Sequence, residues 1–474
     1  MRVYIQLFYF VLALILKPDL VSSFDPLRVS LLTGLTVASV LTEWCIYGRQ
    51  KNFFRLDVLF ILGFFIVHFQ WPLMFLFGVE MRKMSVEASI SSINYGTWLS
   101  ALGLIAWNAG WGAFTFKKQP RKRIIKVEYK KLKIAFVLLF VLFLITAGRD
   151  YLTGAIYRGE LEGGDYSGAA GGIASYIQLL LGLVLAVLLA YFMPMSGAYI
   201  RNGRGWWGKV DKFIPIAVAG YIFMYLAVGD RGGAVQAASV VLILYGVFVK
   251  PITAKQFIIL ALVGAFVLTV IGWGRSSLDE KGKRNIIEAG IEKIQERDDQ
   301  GFYIYTLTLA DSVTCLHGSI ADVNSSGGIY WGKLWRGDIF SLVPLLGKYT
   351  MTTFGLKNHD VSSSGRLTYL SFGEDSKIGS GSTIIADLYH NWGTAGVVIF
   401  MFALGVLYQR VTQGIVRREG FKWVVMAAAL ATVAFYSSRA GYLIFLRPLV
   451  WTYLIAKFCT TVKTLSSSEG ETAN

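Results

Sequence analysis

Apolar stretches alternate with short polar joints along most of this chain, and twelve of them are centred near residues 9, 37, 67, 104, 140, 182, 221, 242, 264, 398, 429 and 449. A helix needs about 20 mostly apolar residues to cross the hydrocarbon of a bilayer. The pattern therefore predicts an all-α polytopic integral membrane protein with about 12 transmembrane helices. The alternation breaks once, at residues 274–382, which predict one large loop between helices 9 and 10. Helices 1–9 then fill residues 1–273, helices 10–12 fill residues 383–458, and residues 459–474 form a tail. The N-terminal apolar run follows a short basic start and has small residues after it, as a secretory signal does, and it is expected to stay as the first helix.

Within the loop, Ile287, Ile291 and Ile294 share one helical face and Glu288, Glu292 and Glu296 another. An amphipathic helix lying on the bilayer or on other helices is expected there. The Gly- and Ser-rich stretch from Asp360 to Gly393 predicts irregular backbone, which is tolerated at a membrane where it is buried in protein or lines a wet cavity.

Lys and Arg orient the helices, because short positively charged loops stay in the cytoplasm. With both termini cytoplasmic, the inward segments carry 25 Lys and Arg and the short outward loops 9; the remaining 12 lie in the long loop, which the bias does not weigh. Composition agrees, with 54% hydrophobic and 16% charged residues and a mean hydropathy of +0.53. The net charge of +16 brings in the lipid bilayer rather than a nucleic acid, since nine of the basic residues crowd positions 117–133, where anionic headgroups attract them. Cys45, Cys315 and Cys459 fall in separate places, so neither an internal disulfide nor a cysteine metal cluster is expected.

Charged side chains at the outer helix ends run against this bias. An arginine near a bilayer core costs roughly 2.5–3.5 kcal/mol or more unless it is paired or hydrated. Arg231 lies between helices 7 and 8, Arg366 in the long loop, Arg439 between helices 11 and 12, and Arg447 about two turns into helix 12. A shared outer cavity would make them a cationic cluster, and arginine's planar fork suits the oxygens of a diphosphate. In "VGDRGGAVQ", Gly232 and Gly233 allow close backbone approach and Asp230 can orient Arg231; a simple Asp230–Arg231 pair explains the dipeptide equally well. Asp387 and His390, three apart at the start of helix 10, could form a carboxylate–imidazole base, or merely a polar helix start. Tyr303, Tyr305, Trp331 and Trp335 are candidates for stacking on sugar faces. No phosphate-binding P-loop, zinc-protease or serine-hydrolase motif is present.

Three stretches, "VGDRGGAVQAASVVLILYG", "GSGSTIIADLYHNWGTAGVVIFMFALGVLYQR" and "YSSRAGYLIFLRPLVW", together resemble the Wzy-type O-antigen and polysaccharide repeat-unit polymerases, of the C-type glycosyltransferase superfamily. The resemblance implies a metal-independent inverting glycosyltransferase, without cofactor, in the bacterial inner membrane and with its active site facing the periplasm. It would move a growing glycan from undecaprenyl diphosphate to the non-reducing end of a new lipid-linked repeat unit, with a chain-length regulator protein as candidate partner. Arg231 and Arg439 would hold diphosphate, with Arg366 a weaker transfer. An O-antigen ligase uses the same donor and differs in its acceptor. A lipid-linked oligosaccharide flippase would need charges at mid-membrane and related halves, whereas here the charges gather at one face.

Overall fold

The computed structural model describes residues 2–47, 52–79, 90–114, 122–148, 169–203, 205–281, 286–295, 306–344, 346–374, 376 and 379–466. Tyr303, Tyr305 and the Gly-rich loop after the fifth apolar segment lie largely outside them.

Every one of the twelve apolar segments carries helix: α1 (Arg2–Ile15), α2 (Pro26–Tyr47), α3 (Leu56–His68) with α4 (Gln70–Leu76), α5 (Ile93–Ala113), α6 (Lys130–Phe143), α7 (Ala169–Arg201), α8 (Phe213–Val228), α9 (Arg231–Phe248) and α10 (Ala254–Lys281) precede the long loop. After the loop come α16 (Ile384–Val416), α17 (Phe421–Val433) and α18 (Leu446–Cys459). Among the described residues, five helices are long and apolar enough to span a bilayer, and α3 with α4, bent by 44°, makes a sixth candidate. The chain is an all-α membrane protein apart from one small ribbon. There, β1 (Lys122–Glu128) pairs antiparallel with β2 (Thr461–Ser466), joining the basic cluster to the tail. Both segments are rich in β-branched residues, which favour strands.

The central seam is formed by α5 and α16. A Cβ at Gly110 would fall 2.0 Å from the Phe402 carbonyl oxygen, and one at Gly405 2.1 Å from that of Trp107. Small residues let the two backbones touch, and close packing is what holds helices together where lipid is as apolar as leucine. Around the seam, Trp107 stacks between Phe60 and Trp111, with ring centroids 5.0 Å and 5.5 Å away. Gly405→Val must part these backbones, so folded, monodisperse protein should fall sharply in detergent, as size-exclusion chromatography will register; an unchanged yield would show that the seam can open cheaply.

Several loop helices pack on one end of this bundle: α11 (Ile286–Gln295), α12 (Val313–Ser325), α13 (Arg336–Phe340), α14 (Leu346–Thr353) and α15 (Ser363–Phe372). Helix α11 is amphipathic, but its buried face is not the isoleucine face. Gly290 meets the Val270 carbonyl on α10, where a Cβ would sit 2.0 Å away, and Ala289 is buried beside it. Ile287 and Ile291 stay 54% and 40% exposed, because backbone approach through the small residues sets the contact. The Gly- and Ser-rich stretch is also more ordered than its composition predicts. Ser362 caps α15 by accepting from the Gly365 amide, and among the described residues irregular backbone is confined mainly to 373–374, 376 and 379–383.

Helix α16 is two helices in line. Gly393, with φ 63° and ψ −160°, breaks it one turn after His390. Residues 384–391 before the break are all buried, so this short stretch is enclosed by the loop helices and the bundle together.

Candidate functional site

The first helical turn of α16 ties the loop to the bundle. Asp387 Oδ2 accepts from the Trp335 indole N–H at 2.8 Å and from the Tyr442 amide at 2.8 Å. Its Oδ1 accepts from Asn391 Nδ2 at 3.1 Å and from the Ser363 hydroxyl. Asn391 Oδ1 in turn accepts from the Leu334 amide at 3.1 Å. Asp387 is 1% exposed, and four donors fill its carboxylate. Trp335 packs in a layer with Tyr442, Trp392 and Phe400, so its ring is core, whereas Trp331 is 70% exposed.

His390 does not pair with Asp387. It is fully buried, its Nε2 lies 3.4 Å from Asp322 Oδ2 on α12, and its carbonyl accepts from the Tyr330 amide. Asp322 also binds Arg366 in two places, Nη2 to Oδ1 at 2.8 Å and Nε to Oδ2 at 3.2 Å, and accepts from the Tyr330 hydroxyl at 2.8 Å. Burial alone would raise the Asp322 carboxyl, but hydrogen bonds from His390, Arg366 and Tyr330 overcome it and hold the group well below the usual carboxylate range. Arg366 is thus committed to a buried acid 44 residues away. Arg366→Ala should lower the unfolding temperature by stranding that carboxylate, at a cost of about 1–3 kcal/mol, and adding Asp322→Asn should restore part of it. Unchanged unfolding with lost activity would instead put Arg366 on a substrate.

The remaining candidates surround two cavities that meet. One, of about 500 Å³, opens into the bundle among α7, α8, α9 and α17 and is lined by Gln178, Tyr221, Tyr225, Asp230, Gly232 and Gly233, among others. The other, of about 710 Å³, runs between α13, α14 and the turn before α15. Asp338, Ser341 and Arg447 line both. Arg447 therefore stands at the join, its guanidinium carbon 6.0 Å from the centroid of the Tyr176 ring.

Asp230 caps α9, accepting from the Gly232 amide at 2.9 Å, and does so at the cavity edge. Arg231 points away from the cavity toward α10, donating to the Leu268 carbonyl at 3.2 Å and lying where a Cβ at Gly272 would come within 2.5 Å of it. Gly233 is small for a different reason than ligand room. A Cβ there would fall 2.0 Å from the Tyr225 ring. Arg439, an exposed residue in the otherwise largely enclosed turn between α17 and α18, shares with Arg231 and Asp230 an electrostatic influence on Tyr436. The predicted residues thus fall into three sets: Arg447 at the cavity join, Arg231 and Arg439 with Asp230 around Tyr436, and the loop-fastening pairs of Asp387 and of Asp322.

Asp338 is the residue that sequence reasoning missed. Burial first, then the Asp387 carboxylate, push it up to about 6, against the opposing pull of Arg447. Its neighbours come from α16 and α18, and no local spacing announces them.

The polymerase family model for O-antigen polysaccharide, Wzy, matches residues 3–467, nearly the whole chain. The chain belongs to the O-antigen polysaccharide polymerase Wzy family. No curated protein and no solved structure matches it. With its apolar helices, membership makes it a multi-pass membrane protein with a glycosyltransferase-type polymerase role, in a family that acts on lipid-linked oligosaccharide repeat units.

Proposed function

We propose that this Wzy-family protein moves a growing glycan from undecaprenyl diphosphate to the non-reducing end of a new lipid-linked repeat unit, with inversion and without a metal, at the periplasmic face of the inner membrane. The carrying observation is Arg447, a buried-side cation facing both a cavity in the bundle and a groove in the loop. A departing diphosphate gains one further negative charge, spread over its oxygens, and a guanidinium fork held in a water-poor site stabilises that charge as it develops. Arg231 and Arg439 influence Tyr436 together with Asp230, and Arg231, which donates to the Leu268 carbonyl in this structure, adds a second cationic contact along the lipid's approach only by turning back toward the cavity. Asp387 and His390 serve by positioning: they fasten the loop that forms half of the site.

The orientation is supported by helix order. Taking twelve crossings with both termini cytoplasmic puts the α3–α4 bend, the start of α5, the α8–α9 turn, the long loop and the α17–α18 turn at one end. Contacts agree, since Trp71 after α3 donates to Asp311 of the loop at 2.6 Å, and Gly96 of α5 abuts His317.

Purified protein in nanodiscs, given lipid-linked repeat units alone, should form a ladder of longer chains on the lipid. Transfer only when a lipid A core is supplied would make the protein a ligase, and vesicle transport without any new glycosidic bond would make it a flippase.

A further inference from the structure

The groove on the loop side and the bundle cavity both mix polar and apolar groups in their linings. In the groove, Gly337, Thr352, Asn358 and Ser362 present hydroxyl, amide and backbone groups beside the apolar Met351, Leu356 and Val361, and the charged residues among its lining are Asp338 and Arg447, both at the join. Such a surface offers many neutral donors and acceptors to a hydroxyl-rich ligand and no fixed charge along its length to an ionic one. The bundle cavity lies among apolar helices and carries Leu179, Leu183, Val433, Leu443, Ile444 and Pro448, which suit a prenyl chain beside its diphosphate. Gly441 lies between the two carboxylates: a Cβ there would sit 3.5 Å from Asp338 Oδ2 and 3.5 Å from Asp387 Oδ2. Asp387 is occupied by four donors, and Asp338 is the carboxylate left facing both cavities.

We infer that the loop groove holds the uncharged sugar at the non-reducing end of the acceptor, and that Asp338 takes the proton from its attacking hydroxyl. This rests on the polymerase reading and adds to it a site and a residue. In the step, the acceptor oxygen bonds to the donor's anomeric carbon, and the bond from that carbon to the phosphate oxygen breaks. Its electron pair leaves with the diphosphate beside Arg447. The hydroxyl proton passes to the Asp338 carboxylate and then to water. Donor and acceptor thus reach Asp338 and Arg447 from two different cavities, and inversion places attack and departure on opposite faces of the anomeric carbon.

The groups facing Asp338 are Asp387 of α16 and Arg447 of α18, and with a pKa near 6 it is ionised yet basic at neutral pH. Below that value kcat/KM for elongation should fall about tenfold per pH unit. A carboxyl whose folded pKa is raised costs stability increasingly as pH climbs from its ordinary 3.8 through about 6, and the full cost applies above that. Asp338→Asn removes the cost, so at neutral pH the variant should unfold no earlier than wild type.

The test uses the full chain in nanodiscs with lipid-linked repeats, following elongation against pH, undecaprenyl diphosphate binding and thermal unfolding. Asp338→Asn should elongate at least ~100-fold more slowly, lose the acid limb of the pH profile, and keep its lipid-diphosphate affinity. Asp338→Glu should recover part of the rate. Gly347→Trp, which fills the groove where the nearest atoms lie 3.9 Å from an added Cβ, should block elongation while leaving lipid-diphosphate binding intact. Wild-type elongation by Asp338→Asn, or its unfolding early, overturns the proton assignment; free elongation by Gly347→Trp overturns the groove. A wild-type protein that elongates nothing overturns the polymerase reading and both assignments with it, an outcome distinct from either variant being active.

Discussion

Arg447→Ala will all but stop chain growth while leaving the protein folded. Arg447 lines both cavities at their join, and no other described arginine lines either of them. Removing a charge-assisted contact from a poorly solvated anion costs roughly 2–5 kcal/mol, or about 30-fold to several-thousand-fold in rate. Arg447→Lys keeps the charge but not the planar fork and should fall between. The ladder assay on purified protein measures the rate, and thermal unfolding guards against a trivial loss. Full-length chains made by Arg447→Ala at the wild-type rate would remove Arg447 from the site.

Asp387→Ala should fail differently, by releasing the loop. Four donors converge on that carboxylate, from Trp335, Ser363, Asn391 and the Tyr442 amide, and they belong to four separate elements. Alanine leaves the Trp335, Ser363 and Tyr442 donors without that acceptor, at about 1–3 kcal/mol for each group that water cannot reach, while Asn391 keeps the residue's backbone carbonyl. Even with partial relaxation the total should reach roughly 4 kcal/mol, large beside the margin of most folded proteins. Limited proteolysis should then cut within residues 330–363 well before the bundle unfolds. Protection equal to wild type would mean that the loop is held elsewhere.

These two residues illustrate how much of the site is legible in one sequence. Arg447 stands out because an arginine in an apolar stretch is costly, and cost is visible locally, although it sits in the first turn of α18 and not two turns inside it. The twelve apolar segments are legible for the same reason, since a bilayer admits few backbone solutions. Partners are not legible when they are distant. Asp387 and His390 look like a pair at helical spacing, yet each finds its partners across the fold, Asp387 at Trp335 and Tyr442 and His390 at Asp322. Arg366 reads as an unclaimed cation because Asp322 lies 44 residues away on another helix. Asp338 is silent in sequence altogether, an acid in a five-residue helix whose meaning comes from Asp387 and Arg447 beside it. The ribbon joins Lys122–Glu128 to Thr461–Ser466, strands far apart in the chain, and neither segment carries a hairpin signal.

That ribbon bears on the chemistry at the far end of the molecule. Helix α18 starts just before Arg447 and runs directly into β2, so its last turn is secured by the pairing with β1 and by the Thr460 contact with Tyr191. Its first turns are secured by the Tyr442 hydroxyl on the Phe400 carbonyl at 2.9 Å and by Trp451 on the Leu342 carbonyl at 2.9 Å. A helix gripped at both ends cannot slide or roll to meet its ligand. Arg447 therefore waits in place, and the free energy that a looser arm would spend on reorganisation is available to stabilise the departing diphosphate.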